Sequence, residues 1–367
     1  MSAPHPVPPR AVPPHLVPLI AVRVAGEDHR DRGRARGSVL AEAVARTSRA
    51  YAELFGELGI GAADQQAAAE ASLQALRGWD PDQHAEVTGI AEGAGLDVLE
   101  VARTLARTEI LTLAPAAPGE CSTLAHQADG ASVSAQTWDW YDRFSGCWHA
   151  HRVEALAGEQ THAGFTEYGM PGKIGLNAAG IGVHLNILKH RDDAPGGVPV
   201  HSVLARVLTR ATTVEEAVDI VRSAPTTSSS VITVTSPDRV AMVEIAPGGV
   251  SVLDGPGWRT HTNHFLAQYR QDGAMLLDPT SNTADRLDFL DQRSAGRPAP
   301  RSAEDLVPLL CSPLEDRGVA LLPDETLPAA ERLATLVTVR TDPARRRISL
   351  GAGVPQHASR TSVTYQL

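Results

Sequence analysis

What most constrains the fold of this chain is a change of texture about a third of the way along it. Before Leu111, apolar residues recur at helical spacing, as in Leu40, Val44, Ala50, Leu54 and Leu58. After the loop Ala114-Pro115-Ala116-Ala117-Pro118-Gly119 they fall into short β-like runs divided by turns. The first block predicts helices from Gly37, over Ala62–Leu76 (ended by Gly78), over Asp82–Ala94 and over Val98–Leu111. The second predicts strands at Thr123–Ala125, Ala131–Thr137, His149–Ala155, Ile174–Leu176 and Gly182–Leu188. Helices follow at Val200–Thr209 and at Val214–Ser223, the latter capped by Thr212 or Thr213. Further strands are expected at Val231–Thr235, Val240–Ile245, Val250–Leu253 and Thr260–Asn263. Helices near Ala284–Gln292 and Ala303–Leu310 and a closing hairpin, Leu333–Arg340 with Arg346–Leu350, complete the reading. Elements that come in blocks favour an α+β fold, with sheets packed on each other and covered by helices, over a βαβ alternation.

Composition narrows the function. The 367 residues are 43% hydrophobic, enough for a large core. The net charge of −10 carries no basic block, which argues against nucleic acid as a partner. No apolar run approaches the ~18 residues that span a bilayer, so no membrane partner is expected. Residues 1–16 form a Pro-rich leader expected to be disordered, without the apolar core of a signal peptide. Three cysteines, Cys121, Cys147 and Cys311, make no disulfide framework and fit a reducing cytoplasm.

Chemistry concentrates at Gly119-Glu120-Cys121-Ser122-Thr123, where a cysteine stands between the loop and the first strand. Alone, such a cysteine is as readily a small buried hydrophobe. Its context includes Gln136-Thr137-Trp138-Asp139-Trp140 and, much later, Thr260-His261-Thr262-Asn263-His264-Phe265. His149 and His151 share a strand face but lack further ligands at metal spacing, so neither a metal nor a cofactor is expected. Ser228-Ser229-Ser230 lacks the elbow sequence of a serine nucleophile.

These stretches, in this order, resemble the acyl-coenzyme A:6-aminopenicillanic-acid acyltransferase family of N-terminal-nucleophile hydrolases. Ile90–Leu96 resembles its helix before the cleavage loop, and Gly175–Gly180 its Gly-Asn-Gly hairpin. Ala334-Thr335-Leu336 and Gly351–Pro355 resemble its closing strands. Leu105 departs from the pattern, where an asparagine is expected. The resemblance implies a four-layer αββα sandwich and self-cleavage between Glu120 and Cys121. It implies a mostly helical pro-segment, 17–120, that stays bound as a small subunit, and a β-rich catalytic subunit, 121–367.

It also implies roles. Cleavage would give Cys121 a free α-amine of pKa about 7.7–8.0, able to take the proton of its own thiol. The Asn263 side-chain NH2 is expected to stabilise an oxyanion. Asp139 is expected to hold the new amine. Trp138, Trp140, Tyr141 and His264 are expected to border the pocket. The activity expected is transfer of an acyl group, through a thioester on Cys121, from an acyl-CoA or acyl-carrier-protein thioester to an amine. Hydrolysis of a small N-acyl or aminoacyl amide is the alternative. A catalytically silent ligand-binding member is the alternative from another class.

Overall fold

A computed structural model of the chain describes residues 17–115, 119, 121–128, 130–268, 272–328 and 331–367. The leader over 1–16 and Glu120 lie outside the described residues.

The first block opens with strand β1 (Ala21–Val24) and continues through α1 (His29–Val39), α2 (Ala41–Glu57) and α3 (Ala62–Trp79). It ends with α4 (Pro81–Ala94), α5 (Val98–Leu105) and α6 (Arg107–Leu111). Local chemistry sets the starts. Asp28 caps α1 by accepting from Asp31 N, and Asp80 caps α4 ahead of Pro81. Asp97 and Glu100 form a capping box on α5. The chain turns helical at His29, earlier than the expected Gly37. The helix expected over Val98–Leu111 is broken at Ala106, which caps α5 and precedes α6.

Helices α1 and α4 cross with their backbones in contact. A Cβ on Gly33 or Gly37 would lie 2.0 Å from Glu86 O or 2.2 Å from Ile90 O. A Cβ on Gly89 or Gly93 would meet Arg30 O or Arg34 O at 2.1 and 2.2 Å. Two glycines four apart on each helix therefore fix this crossing, and any side chain there would push the helices apart.

The second block supplies β2 (Cys121–Ala128), β3 (Ala131–Tyr141), β4 (Trp148–Val153), β5 (His162–Glu167), β6 (Ile174–Asn177), β7 (Gly182–Ile187) and the short β8 (Lys189–His190). After α7 (Val200–Arg210) and α8 (Val214–Ser223) come β9 (Ser230–Thr235), β10 (Val240–Ala246), β11 (Gly249–Asp254), β12 (Gly257–His261) and β13 (Ala274–Met275). Helices α9 (Thr283–Ser294) and α10 (Val307–Leu310) precede β14 (Leu333–Asp342), β15 (Arg347–Ala352) and β16 (Ser362–Gln366). Strands β5 and β16 were not expected from the sequence. The closing hairpin is thus the start of a three-stranded meander, and the stretch ending at Asn263 leaves the sheet at His261.

The strands form an eight-stranded sheet, β1-β4-β5-β6-β7-β9-β10-β11, and a six-stranded sheet, β12-β2-β3-β14-β15-β16. Helices α7 and α8 cover the outer face of the first through Val203, Val207 and Val218 against Val183, Val234 and Val243. Helices α9 and α10 cover the second through Leu290 and Leu310 against Leu124, Val133 and Ala135. The architecture is an αββα sandwich. Between the sheets, Phe165, Ile174 and Leu176 share a core with Val337, Val339 and Leu350. Elsewhere the same interlayer is polar: Ser134 Oγ lies 2.7 Å from His184 Nε2, and Thr123 and Gln136 both bond to Asn186. The period-2 pleat of β7 explains the difference, because Val183 and Leu185 face the helices while His184 and Asn186 face the other sheet.

The two blocks share one core. Tyr51, Leu54, Phe55 and Ile110 of the helical block pack with Trp138, Trp140 and Phe144. Strand β1 adds in parallel to β4, pairing Ala21 with Ala150. No helix among the described residues is long and apolar enough to cross a membrane.

Candidate active site

Three neighbouring segments of the smaller sheet bring Cys121, Asp139 and Asn263 together. Cys121, the first residue of β2, pairs with Trp138 on β3, one residue before Asp139. On the other side of β2, β12 pairs His261 with Thr123, so the chain leaves the sheet beside the start of β2 and reaches Asn263 there. A register shift in β14 between Thr335 and Val337 falls opposite Asp139 and Trp138, where a bulge re-aims side chains. Glu244 fixes the departing segment. It accepts from Leu266 N and Ala267 N and lies 2.9 Å from His261 Nε2.

Every polar atom of Cys121 is held. Its backbone N–H donates to Asn263 Oδ1 at 2.9 Å. Its carbonyl accepts from Asn186 Nδ2 at 2.9 Å and from Arg286 Nη1 at 3.0 Å. Its sulfur accepts from the backbone N–H of Asp139. Burial, and then the Asp139 carboxylate, push the thiol up to about 12, against the pull of that N–H, Lys173 and Arg286. The thiol is therefore protonated at neutral pH and needs a base before it can attack.

Asn263 is turned differently from the sequence-based expectation. Its NH2 donates to Ile187 O at 2.9 Å, while its oxygen accepts from both Cys121 N and Arg286 Nη2. It holds the Cys121 nitrogen, and one of its two amide hydrogens is engaged by Ile187 O. The reason is local: the Ile187 carbonyl at the end of β7 is the acceptor within its reach.

Cys121 opens onto a narrow crevice whose walls include Arg107, Gly119, Trp138, Trp140, Lys173 and Ile187. Trp138 and Trp140 border it. Tyr141 and His264 do not. The pleat turns Tyr141 away from Trp140's face of the strand, and it packs edge-on to that ring and against Phe144. His264 Nδ1 is engaged by Thr283 Oγ1 at 3.0 Å. A larger cleft, lined by Thr108, Lys189, His190, Ser229, Met275 and Leu277 among others, shares the Ile187 wall. Gly119 lies between the two: a Cβ there would meet Trp140 at 3.3 Å, Ile187 at 3.7 Å and Leu277 at 3.9 Å.

Behind the crevice stands a fully buried ionic cluster. Glu167 accepts from Lys173 Nζ at 2.8 Å, from Arg107 Nε at 3.0 Å and from the Tyr51 hydroxyl. Burial pushes Glu167 up, but Arg107 and Lys173 outweigh it and hold the carboxyl at about 2. Burial lowers Lys173 to about 7 in spite of Glu167. No group of three His, Cys, Asp or Glu among the described residues could hold a metal ion, and all three cysteines are free.

Comparison with known proteins places the chain among acyl-transfer relatives by similarity. Residues 126–304 match the family model described as acyl-coenzyme A:6-aminopenicillanic acid acyl-transferase. A relative from Emericella nidulans, the 40 kDa form of acyl-coenzyme A:6-aminopenicillanic-acid-acyltransferase, is 25% identical over 296 residues, covering 77% of this chain and 78% of its own. Over these stretches the chain is similar to this acyl-transferase family. A looser likeness is to the solved structure of penicillin V acylase from Agrobacterium tumefaciens, with a TM-score of 0.40 and 16% identity over 63% of this chain and 82% of that one.

The stretch that matches the family takes in Asp139, Lys173, Asn263 and Arg286 and begins just past Cys121. Sequence reading did not single out Arg286, Asn186, Lys173 or Arg107. One had a signal. On α9 the buried positions are Thr283, Arg286, Leu290 and Ser294, so an arginine occupies the inward face of an amphipathic helix. The others stand at ordinary strand, loop and helix positions.

Proposed function

We propose that the chain cuts itself between Glu120 and Cys121 and then uses Cys121 as an N-terminal nucleophile in acyl transfer. The observation that carries this reading is the hold on the Cys121 nitrogen: Asn263 Oδ1 accepts its N–H at 2.9 Å while Arg286 and Asn186 fix the carbonyl. An ordinary buried cysteine has no use for side chains from two distant segments on its backbone nitrogen and oxygen.

In the uncut chain that nitrogen is an amide and cannot act as a base. The thiol passes its proton to the neighbouring Asp139 carboxylate and attacks the carbonyl of residue 120, the C–N bond breaks as that proton goes to the leaving nitrogen, and water releases the first segment from the sulfur. The nitrogen becomes an amine. With one N–H still donated to Asn263, its lone pair is free to take the thiol proton of the same residue. A thioester donor then acylates the sulfur, its own thiol leaves, and an amine acceptor takes the acyl group as an amide. Release of the segment at Gly119 joins the larger cleft to the crevice at Cys121, which gives the substrates a path. The segment before Cys121 stays bound through the shared core and the Arg107–Glu167 pair.

Product analysis tests the transfer step. With an acyl-CoA donor alone, slow release of free acid is expected. An added amine should divert product to amide in proportion to its concentration, because a bound neighbour outcompetes bulk water. Free acid in constant yield whatever amine is supplied would overturn transfer and leave amide hydrolysis as the activity of the same site.

A further inference from the structure

The ionic cluster beside Cys121 is more than a structural tie. Glu167 is fully buried and is not among the groups lining the crevice, whereas both of its cations are. Lys173 Nζ sits 3.5 Å from the centroid of the Trp138 ring, and the Arg107 guanidinium 4.3 Å from that of Trp140. Each cation therefore has Glu167 on one side and an aromatic wall of the crevice on the other.

The hydrogen bonds are incomplete. Arg107 uses Nε on Glu167, but its buried Nη1 has no partner among the described residues. Trp140 Nε1 is likewise buried and unpartnered among them. Unpaired donors in a buried site are costly, and a guanidinium N–H is satisfied best by an anionic oxygen. Among the described residues, Arg107 and Lys173 are the basic side chains that line the crevice, beside Asp139, while Arg286 is committed to the Cys121 carbonyl.

Position says which part of a substrate this is. Gly119 lines the crevice and precedes Cys121 in the chain, so the crevice lies on the side of the group that becomes attached to sulfur. An acyl group from a substrate occupies the same side.

We infer that Arg107 and Lys173 form a carboxylate-binding site in the acyl crevice, so that the acyl groups taken by Cys121 carry an anionic group near the reacting carbonyl. Arg107 belongs to the segment before Cys121, so that segment contributes a side chain to the working site. The inference rests on the reading of Cys121 as the acylated nucleophile.

Two small alkylating agents of nearly equal size test it without knowledge of the substrate. Iodoacetate carries a carboxylate and iodoacetamide does not. The rate of modification at Cys121, read by peptide mass so that Cys147 and Cys311 are scored separately, gives a ratio to set against free cysteine. Wild-type protein should favour iodoacetate about tenfold or more over the free-cysteine ratio, the effect expected of one well-placed charge pair. Arg107→Gln and Lys173→Gln should each lower the ratio several-fold, while Arg239→Gln on the surface should leave it unchanged. If Arg107→Gln fails to fold, Arg107→Lys keeps the charge and loses the second donor, and its ratio should fall between.

A wild-type ratio equal to that of free cysteine, or a preference that survives both substitutions, overturns the site. Alkylation needs only a reachable thiol, so it reports even if the chain stays uncut or transfers nothing. A thiol that reacts readily with no charge preference would sink this inference alone. A Cys121 that takes neither reagent would sink the nucleophile reading with it.

Discussion

Asn263 faces the Cys121 nitrogen with its oxygen, at 2.9 Å, and turns its NH2 to the Ile187 carbonyl. This orientation separates two roles that a simple deletion would confuse. Asn263→Ala removes both groups and should slow self-cleavage and turnover by about 10²–10³-fold. Asn263→Asp keeps an acceptor for Cys121 N and Arg286, so its cleavage rate should exceed that of the alanine variant at least tenfold. Equal loss in the two variants, followed by intact mass against time, would return the decisive role to the NH2.

Arg286 joins the same two residues from the other side, donating to the Cys121 carbonyl and to Asn263 Oδ1 at 3.0 Å each. Arg286→Leu leaves Asn186 as the one side chain on that carbonyl and frees Asn263 to swing. Charged hydrogen bonds of this kind are worth about 1.5–3 kcal/mol each. Turnover should fall by about 10²-fold or more. An Arg286→Leu enzyme with normal kcat, in a fully cut preparation, would remove Arg286 from the account.

How far this site was legible follows from what each residue needs. The cap of α8 could be read because Thr213 and Glu216 signal it locally, and the side chain of Thr213 does accept from Glu216 N. Helix α1 could not. Its sequence, HRDRGRARGSV, is polar with two glycines, because it buries Arg32 and Arg36 against Glu86 and packs backbone to backbone on α4. Strand β5, HAGFTE, is buried on both faces and shows no alternation. Cys121, Asp139 and Asn263 were recognisable through their ordered motifs. Arg107, Lys173, Asn186 and Arg286 reach Cys121 from segments far apart in the chain, and nothing near them in sequence announces the meeting.

The cluster on Glu167 makes a stability prediction. Glu167→Gln leaves Arg107 and Lys173 fully buried without their shared carboxylate, which should cost about 3–5 kcal/mol. Glu57→Gln, which breaks the exposed pair with Arg143, should cost under about 1 kcal/mol. Urea unfolding of both variants in an uncut Cys121→Ala background compares them. Equal midpoints would contradict the assigned weight of the buried cluster.

Acid should destabilise the fold before carboxylates begin to protonate. Burial pushes His149, His162 and His184 down to about 3, and His151 and His201 well below their usual 6.5. Between those values and 6.5 the unfolded chain binds more protons than the folded one, so stability falls as pH drops through this window. Glu109, raised by burial to about 7, opposes the trend with a single group. Glu159 and Glu167, both held at about 2, add their loss only below 4.5. Stability measured from pH 6.5 to 4.5 should therefore slope downward. His162→Gln should flatten the slope by about 1.4 kcal/mol per pH unit. A flat profile in the wild type would mean that these histidines are not held neutral.

The intact mass of the purified protein tests the central claim most directly. Self-cleavage predicts two masses, from a fragment ending at Glu120 and one of 247 residues beginning at Cys121 out of the 367, that travel together on a native sizing column and part in denaturant. Cys121→Ala should give one uncut mass. A wild-type chain that stays whole through prolonged incubation, yet turns over acyl thioesters, would contradict the account.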